Sequence, residues 1–224
     1  MSRKLDLSPL GYQFTRSWFL NRNLPTFREF VYPEWANKPC TYLEIGVFEG
    51  QSLCWMLEHV LTHKDSRGVG VDPWLMTTKL NEADMEAVRL RAAHNVSKWE
   101  HGSLVRGASA EVLRKMAGRG HAGISKGSVD LCMIDGNHWA PYVVDDAEQV
   151  ATLLKPGGWM LFDDYSNDIP KKDHVKQGLE MFLASHTKFE FTELWRHRYM
   201  VCLKKEHDET THPKSLQHRR GFGT

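Results

Sequence analysis

A doubly wound α/β sheet of seven strands, ordered 3-2-1-4-5-7-6 with strand 7 antiparallel, is the fold this sequence predicts. Three observations carry it. From Thr41 onward, short apolar runs alternate with helical periods, the pattern of a parallel sheet with helices on both faces. The last two apolar runs are joined only by Trp195-Arg196-His197-Arg198, too short for a helical crossover, so they pair as an antiparallel hairpin. The stretch before Cys40 lacks strand patterning and is rich in large aromatics from Tyr12 to Trp35, which suits a helical cap.

The elements follow in order. Leu10, Phe14 and Trp18 stand four apart and predict one face of a short helix. Pro25 opens a second helix that ends before Pro33. Residues 41–45 predict the first strand, and 51–63 a helix with Leu53, Met56, Leu57, Val60 and Leu61 inward. A short strand over 68–71 stops at Asp72-Pro73, and 82–99 form a long amphipathic helix. Residues 103–105, 129–134 and 159–162 predict strands, separated by helices over 110–116 and 142–154. Residues 174–185 are helical, and 189–194 and 199–203 form the hairpin. The domain plan is therefore a cap over 1–38, a ligand-binding domain over 39–205, and a polar, disordered tail over 206–224.

Composition narrows the function. The 224 residues carry 29 Lys+Arg against 28 Asp+Glu, with 41% hydrophobic content, as in an ordinary globular protein. A net charge of +1 lacks the basic excess of a nucleic-acid or anionic-membrane binder. No apolar run approaches the roughly 20 residues of a membrane span, and no apolar stretch follows Arg3 and Lys4 to make a secretory signal. Cys40, Cys54, Cys132 and Cys202 lie far apart in apolar stretches without a C-x-x-C pair. They read as buried free thiols in a reducing, cytoplasmic setting.

Ligands of open α/β sheets bind beyond the carboxyl ends of the strands. The first strand runs into Glu44-Ile45-Gly46-Val47-Phe48-Glu49-Gly50-Gln51-Ser52. Gly46 allows a tight turn, Gly50 clears the start of the helix, and Ser52 offers a cap or a hydroxyl. The glycines stand four apart, unlike a dinucleotide fingerprint, and Glu44 would repel a pyrophosphate but suits an amine. Asp72 ends the second strand, either as a turn residue before Pro73 or as an acceptor for ribose hydroxyls. Ser109, after the third strand, either caps the next helix or lines an adenine. Asp135 ends the fourth strand and Asp163-Asp164 the fifth. Three carboxylates on adjacent strand ends either face water as loop caps or share a hard divalent ion such as Mg²⁺. His138 is a base by chemical type, or a residue that holds its loop. His59 and His63 share a helix face without the acid of a zinc motif and read as surface residues.

Taken in order, Glu44-x-Gly46-x-x-x-Gly50-x-Ser52, Asp72-Pro73, Asp135-Gly136-x-His138, Leu153-Leu154-x-Pro156-Gly157-Gly158 and Asp163-Asp164 resemble class I S-adenosylmethionine-dependent methyltransferases. The likeness is to the branch of macrocin-type O-methyltransferases and cephalosporin-hydroxylase-like proteins, and it spans about residues 41–203. It implies a Rossmann-like fold with S-adenosylmethionine as cofactor. Glu44, Gly46 and Gly50 would surround the methionine part, Asp72 would hold the ribose, and the Ser109 turn would border the adenine. It also implies a divalent metal, Mg²⁺ in kind, on Asp135, Asp163 and Asp164. Macrocin-type members carry an acid two residues after the first metal aspartate, where this chain has Asn137. An amide cannot take a proton, which leaves His138, beside Asp135, as the catalytic base. The expected reaction is O-methylation of a small-molecule acceptor, with the aromatic N-terminal segment available for homo-oligomer contacts. Two rivals keep the same fold. One is a metal-independent methyltransferase acting on another acceptor; the other is a non-catalytic S-adenosylmethionine-binding regulatory or scaffold protein.

Overall fold

The computed structural model describes residues 7, 10–75, 81–166, 174–185 and 188–208. Seven strands form one sheet: β1 (Thr41–Ile45), β2 (Arg67–Asp72), β3 (Gly102–Arg106), β4 (Val129–Ile134), β5 (Leu154–Phe162), β6 (Phe189–His197) and β7 (Met200–Asp208). Their order is β3-β2-β1-β4-β5-β7-β6, with β7 antiparallel to both neighbours and the other pairs parallel, as the sequence predicts. The helices are α1 (Phe19–Asn23, Leu24–Thr26, Phe27–Val31 and Tyr32–Trp35, end to end), α2 (Gln51–Trp55 continued by Met56–Val60), α3 (Glu82–Val96), α4 (Ser109–Arg119), α5 (Ala140–Leu153) and α6 (His174–Ser185).

Side-chain alternation decides the layers. Leu43, Ile45, Val69, Val71, Cys132, Ile134, Met160 and Phe162 point to one face, where α4, α5 and α6 cover them. Tyr42, Leu131, Met133, Leu161 and Cys202 point to the other, under α1, α2 and α3. All four cysteines are free and buried in these layers. No helix among the described residues is long and apolar enough to cross a membrane.

The N-terminal segment departs from its pattern. Residues 11–17 are not helical, and Leu10 and Trp18 are exposed, at 44% and 57%. The backbone here finds partners in buried side chains instead of in its own turns. Gln13 N–H donates to Asn95 Oδ1 at 2.7 Å, and Thr15 donates from N and Oγ1 to the Glu49 carboxylate at 2.6 and 2.7 Å. The α1 helix, in turn, does not stop at Pro33 but runs through both prolines. A wider π turn precedes each of the two short α turns that contain Pro25 and Pro33, which eases the clash of the ring with the preceding carbonyls. Phe19, Phe27 and Val31 then bury against Trp55, with ring centroids 5.8–5.9 Å apart for the two aromatics. These aromatics of the cap thus pack on the sheet domain of the same chain.

At the other end the hairpin is longer than expected. Trp195, Arg196 and His197, expected as a connection, belong to β6, and the turn is Arg198–Tyr199. The β7 strand continues through Asp208, three residues into the expected tail. Residues 209–224, where the disordered tail was expected, lie outside the described residues.

Candidate active site

The register brings the strand ends together. Ile134 pairs with Phe162, so Asp135 and Asp163 leave the sheet side by side. Asp135 N–H donates to Ile45 O at 2.8 Å and Gly46 N–H to Val71 O at 2.9 Å, which ties the ends of β4, β1 and β2 into one rim. Above that rim lies a cavity of about 760 Å³. Its wall includes Gly46, Ser52, Asp72, Ser109, Asp135, His138, Asp163 and Asp164.

Gly46 sits at φ +87°, and a Cβ there would lie 2.0 Å from the Asp135 carbonyl oxygen. The glycine is demanded by the close approach of β4 as much as by the turn. Gly50, at φ +80°, faces Val96, Val47 and Cys54, away from the cavity. Glu44 also lies below the floor. It is wholly buried and accepts from Tyr42 Oη and Ser52 Oγ, both at 2.7 Å. Ser52 is therefore neither a cap nor free.

Burial lifts the Glu44 carboxyl to about 8, although the hydrogen bonds from Tyr42 and Ser52 pull it down. The folded chain thus holds this proton more tightly than the unfolded chain does, so stability falls as pH rises from the ordinary carboxylate value toward 8. Glu44→Gln removes that titration. Its stability relative to wild type should rise by about 1–3 kcal/mol between roughly pH 5 and pH 8, read by urea unfolding; parallel pH profiles would refute this.

Asp72 organises the glycine loop. Oδ2 accepts from Val47 N–H and Phe48 N–H at 2.9 and 3.0 Å, and Oδ1 from Trp74 N–H at 2.7 Å. Oδ1 keeps one lone-pair direction for a ligand hydroxyl. Both readings of Asp72, turn residue and acceptor, are compatible in one carboxylate. Ser109 opens α4, whose N-cap is Ala108, so it is not the cap; it bonds to buried Asp146 and lines the cavity. Asn137 Oδ1 accepts from Trp139 N–H at 3.0 Å, the role of a turn-forming amide.

At the far end of the cavity, His138 stands between two carboxylates. Nε2 lies 3.4 Å from Asp135 Oδ1, and Nδ1 lies 3.5 Å from Asp164 Oδ2. The hydrogen bond with Asp135 raises the imidazole above its ordinary value. Asp163 turns elsewhere: its Oδ2 accepts from Asn23 Nδ2 at 2.7 Å, while its Oδ1 is buried without a partner. Burial, then the neighbouring Asp135 and Asp164, push the Asp163 carboxyl well up. Asp135, His138 and Asp164 offer donor atoms that all lie within 4.8 Å of one another. Two carboxylates and an imidazole are a donor set compatible with a divalent ion, whereas Asp163, expected as the third carboxylate of that set, is held by Asn23 and is not among these converging donors.

Residues 43–165 match the family described as "methyltransferase domain", more than half of the 224 residues. The chain belongs to this methyltransferase family. It is similar to an uncharacterized protein of Acanthamoeba polyphaga mimivirus, 28% identical over 131 residues, which is 57% of this chain and 52% of that one. The chain thus spans about half the length of the curated relative it matches. Solved structures that share the fold include two O-methyltransferases. The apo TDP-rhamnose 3′-O-methyltransferase of calicheamicin biosynthesis superposes with a TM-score of 0.55 at 18% identity, over 89% of each chain. The O-methyltransferase from Bacillus cereus in complex with SAH gives 0.51 at 19% identity, over 90% of this chain and 84% of that one. The methyltransferase domain has the class I seven-stranded sheet that the motifs imply.

Its wall also contains residues that the motifs did not reveal. Arg16, Trp18, Arg22 and Asn23 of the N-terminal segment line the cavity. Arg22 Nη2 lies 2.7 Å from Asp164 Oδ1, and its guanidinium stacks 4.2 Å from the centre of the Tyr199 ring. Nothing in the local sequence around Arg22 distinguishes it from a surface arginine; its partner is 142 residues away.

Proposed function

We propose that the methyltransferase domain transfers the methyl group of S-adenosylmethionine to a hydroxyl of a small molecule. One observation carries the reading: a single cavity joins the glycine loop, Asp72 and the Ser109 turn to His138 and its flanking carboxylates. This juxtaposition supports a cofactor wall and a proton acceptor sharing one enclosure. Asp72 would take a ribose hydroxyl at Oδ1, and Ala108 with Ser109 would border the base. Glu44 and Gly50 would act beneath the wall, the first by holding Ser52 and the second by admitting the turn into α2.

Bound S-adenosylmethionine would supply a sulfonium methyl group, whose carbon–sulfur electron pair would stay on sulfur as the acceptor oxygen bonds to carbon. The acceptor proton passes to neutral His138, which Asp135 orients. Alignment of oxygen, methyl and sulfur supplies most of the rate, since the leaving group is already a good one. Asp135 and Asp164 would hold an ion such as Mg²⁺ next to His138. Such an ion, when bound, lowers the pKa of a coordinated hydroxyl. The buried thiols support a reducing, cytoplasmic setting.

Release of S-adenosylhomocysteine on incubation with candidate hydroxyl acceptors tests the reading. Binding of S-adenosylmethionine without release for any acceptor would favour the scaffold alternative, and release unaffected by chelator would favour the metal-independent one. Asp72→Ala should weaken S-adenosylmethionine binding by about 1–3 kcal/mol, the loss of a charged acceptor together with the loop it holds. Calorimetry checks this, and unchanged affinity would remove Asp72 from the cofactor wall.

A further inference from the structure

The acid mouth already contains a cation. Arg22 reaches it from α1, outside the stretch that matches the family, and ends 2.7 Å from Asp164. Tyr199, at the turn of the β6–β7 hairpin, supports the other face of the guanidinium at 4.2 Å. The turn is held there by Tyr165 N–H donating to Tyr199 O at 2.7 Å. Next to Arg22, Asn23 donates to Asp163, and the remaining oxygens of both side chains, Asn23 Oδ1 and Asp163 Oδ1, are buried without a partner. The two residues are 5% and 7% exposed. Two unpaired acceptors beside a neutralised carboxylate describe a mouth with more oxygen than one arginine can serve.

We propose that Arg22 competes with a divalent ion for Asp164, so that α1 carries a built-in occupant of the metal position. The proposal rests on the reading of this mouth as the acceptor end of the methyltransferase site. A guanidinium on Asp164 Oδ1 and a divalent ion on Oδ2, the oxygen that faces His138, would share one carboxylate at close range, where their like charges repel. With Arg22 on Asp164 that one carboxylate is charge-paired by the chain itself. When the ion takes Asp164, Arg22 is released toward the cavity it already lines, where it faces the acceptor. Ion occupancy and the position of α1 are thereby coupled. An arginine that merely oriented Asp164 as a ligand would have the opposite effect on ion affinity, and this difference makes the two roles separable.

The test is a calorimetric titration of the full chain with Mn²⁺ alone, in wild type and in Arg22→Gln. Competition predicts that Arg22→Gln binds Mn²⁺ about tenfold more tightly, since a charge-paired carboxylate becomes available. Arg22→Lys should fall between the two, because an ammonium keeps the charge but loses the planar fork and the ring stack. Tyr199→Leu, which leaves every charged group in place, should also tighten Mn²⁺ binding and serves if Arg22→Gln does not fold. Equal or weaker Mn²⁺ binding in Arg22→Gln would overturn the proposal, as would absence of Mn²⁺ binding in both proteins. Titration of the same samples with S-adenosylhomocysteine reports on the methyltransferase reading separately. Loss of that binding in wild type would sink the reading whatever the order of Mn²⁺ affinities.

Discussion

Gly46→Ala should destabilise the protein by about 3–5 kcal/mol, a large part of the stability of an average domain. Two costs add at this position. The backbone stands at φ +87°, where an L side chain is strained, and an ideal Cβ would lie 2.0, 2.5 and 2.8 Å from three backbone atoms of Asp135 and Gly136. Neither wall can yield easily, because Asp135 N–H is bonded to Ile45 O and Gly46 N–H to Val71 O. Any relief would separate β1 from β4 at the end of the sheet that carries the site. Gly50→Ala is the matching control: its φ is +80°, yet its nearest neighbour would be a Val96 methyl at 3.4 Å. It should cost only about 1 kcal/mol, from conformation alone. Urea unfolding of both variants decides, and equal losses at the two glycines would disprove the role of the β1–β4 contact.

His138→Gln should reduce turnover by about 10²–10⁴-fold, the usual contribution of a positioned base. The affinity for S-adenosylmethionine should stay within about twofold, because the residue sits at the acceptor end and not at the glycine loop. The pH dependence supplies the sign. Asp135 raises the imidazole above its ordinary value, and only the neutral ring accepts a proton, so wild-type turnover should climb with pH through a value above about 6.5 and then level off. Glutamine has no such ionisation, and the acidic limb should vanish from its profile. A variant that loses turnover yet keeps the limb would show that the ionising group is another residue and that His138 holds its loop.

The legible part of the site lies at strand ends. Asp72, Ser109, Asp135, His138 and Asp164 all stand just beyond apolar runs, and a parallel sheet brings such positions to one rim whatever the details of packing. Glu44 and Gly50 were visible for the same reason, but a motif does not state which side of the turn a residue faces. The α2 helix packs on the loop, so Glu44 is covered by Tyr42 and Ser52 and Gly50 abuts Val96. Asp163 and Asp164 are adjacent in sequence, and the chain turns between them, with Asp164 at φ +53°. One carboxylate meets His138 and the other meets Asn23.

The N-terminal segment marks the limit most clearly. Its four-residue spacing of Leu10, Phe14 and Trp18 is helical by pattern, yet the backbone of residues 11–17 is not helical and is held by Glu49 and Asn95. Isolated short helices are marginal, so two buried side chains suffice to override the period. By itself the sequence determined the sheet, its strand order, its antiparallel last strand and the rim on which the candidate site lies. These follow from local periodicity, connection length and the handedness of crossovers, all of which act along the chain. Only the tertiary structure decided that Arg22 and Asn23 complete the acid mouth, because their partners are 142 and 140 residues away and no local rule links groups that meet only after the cap has docked.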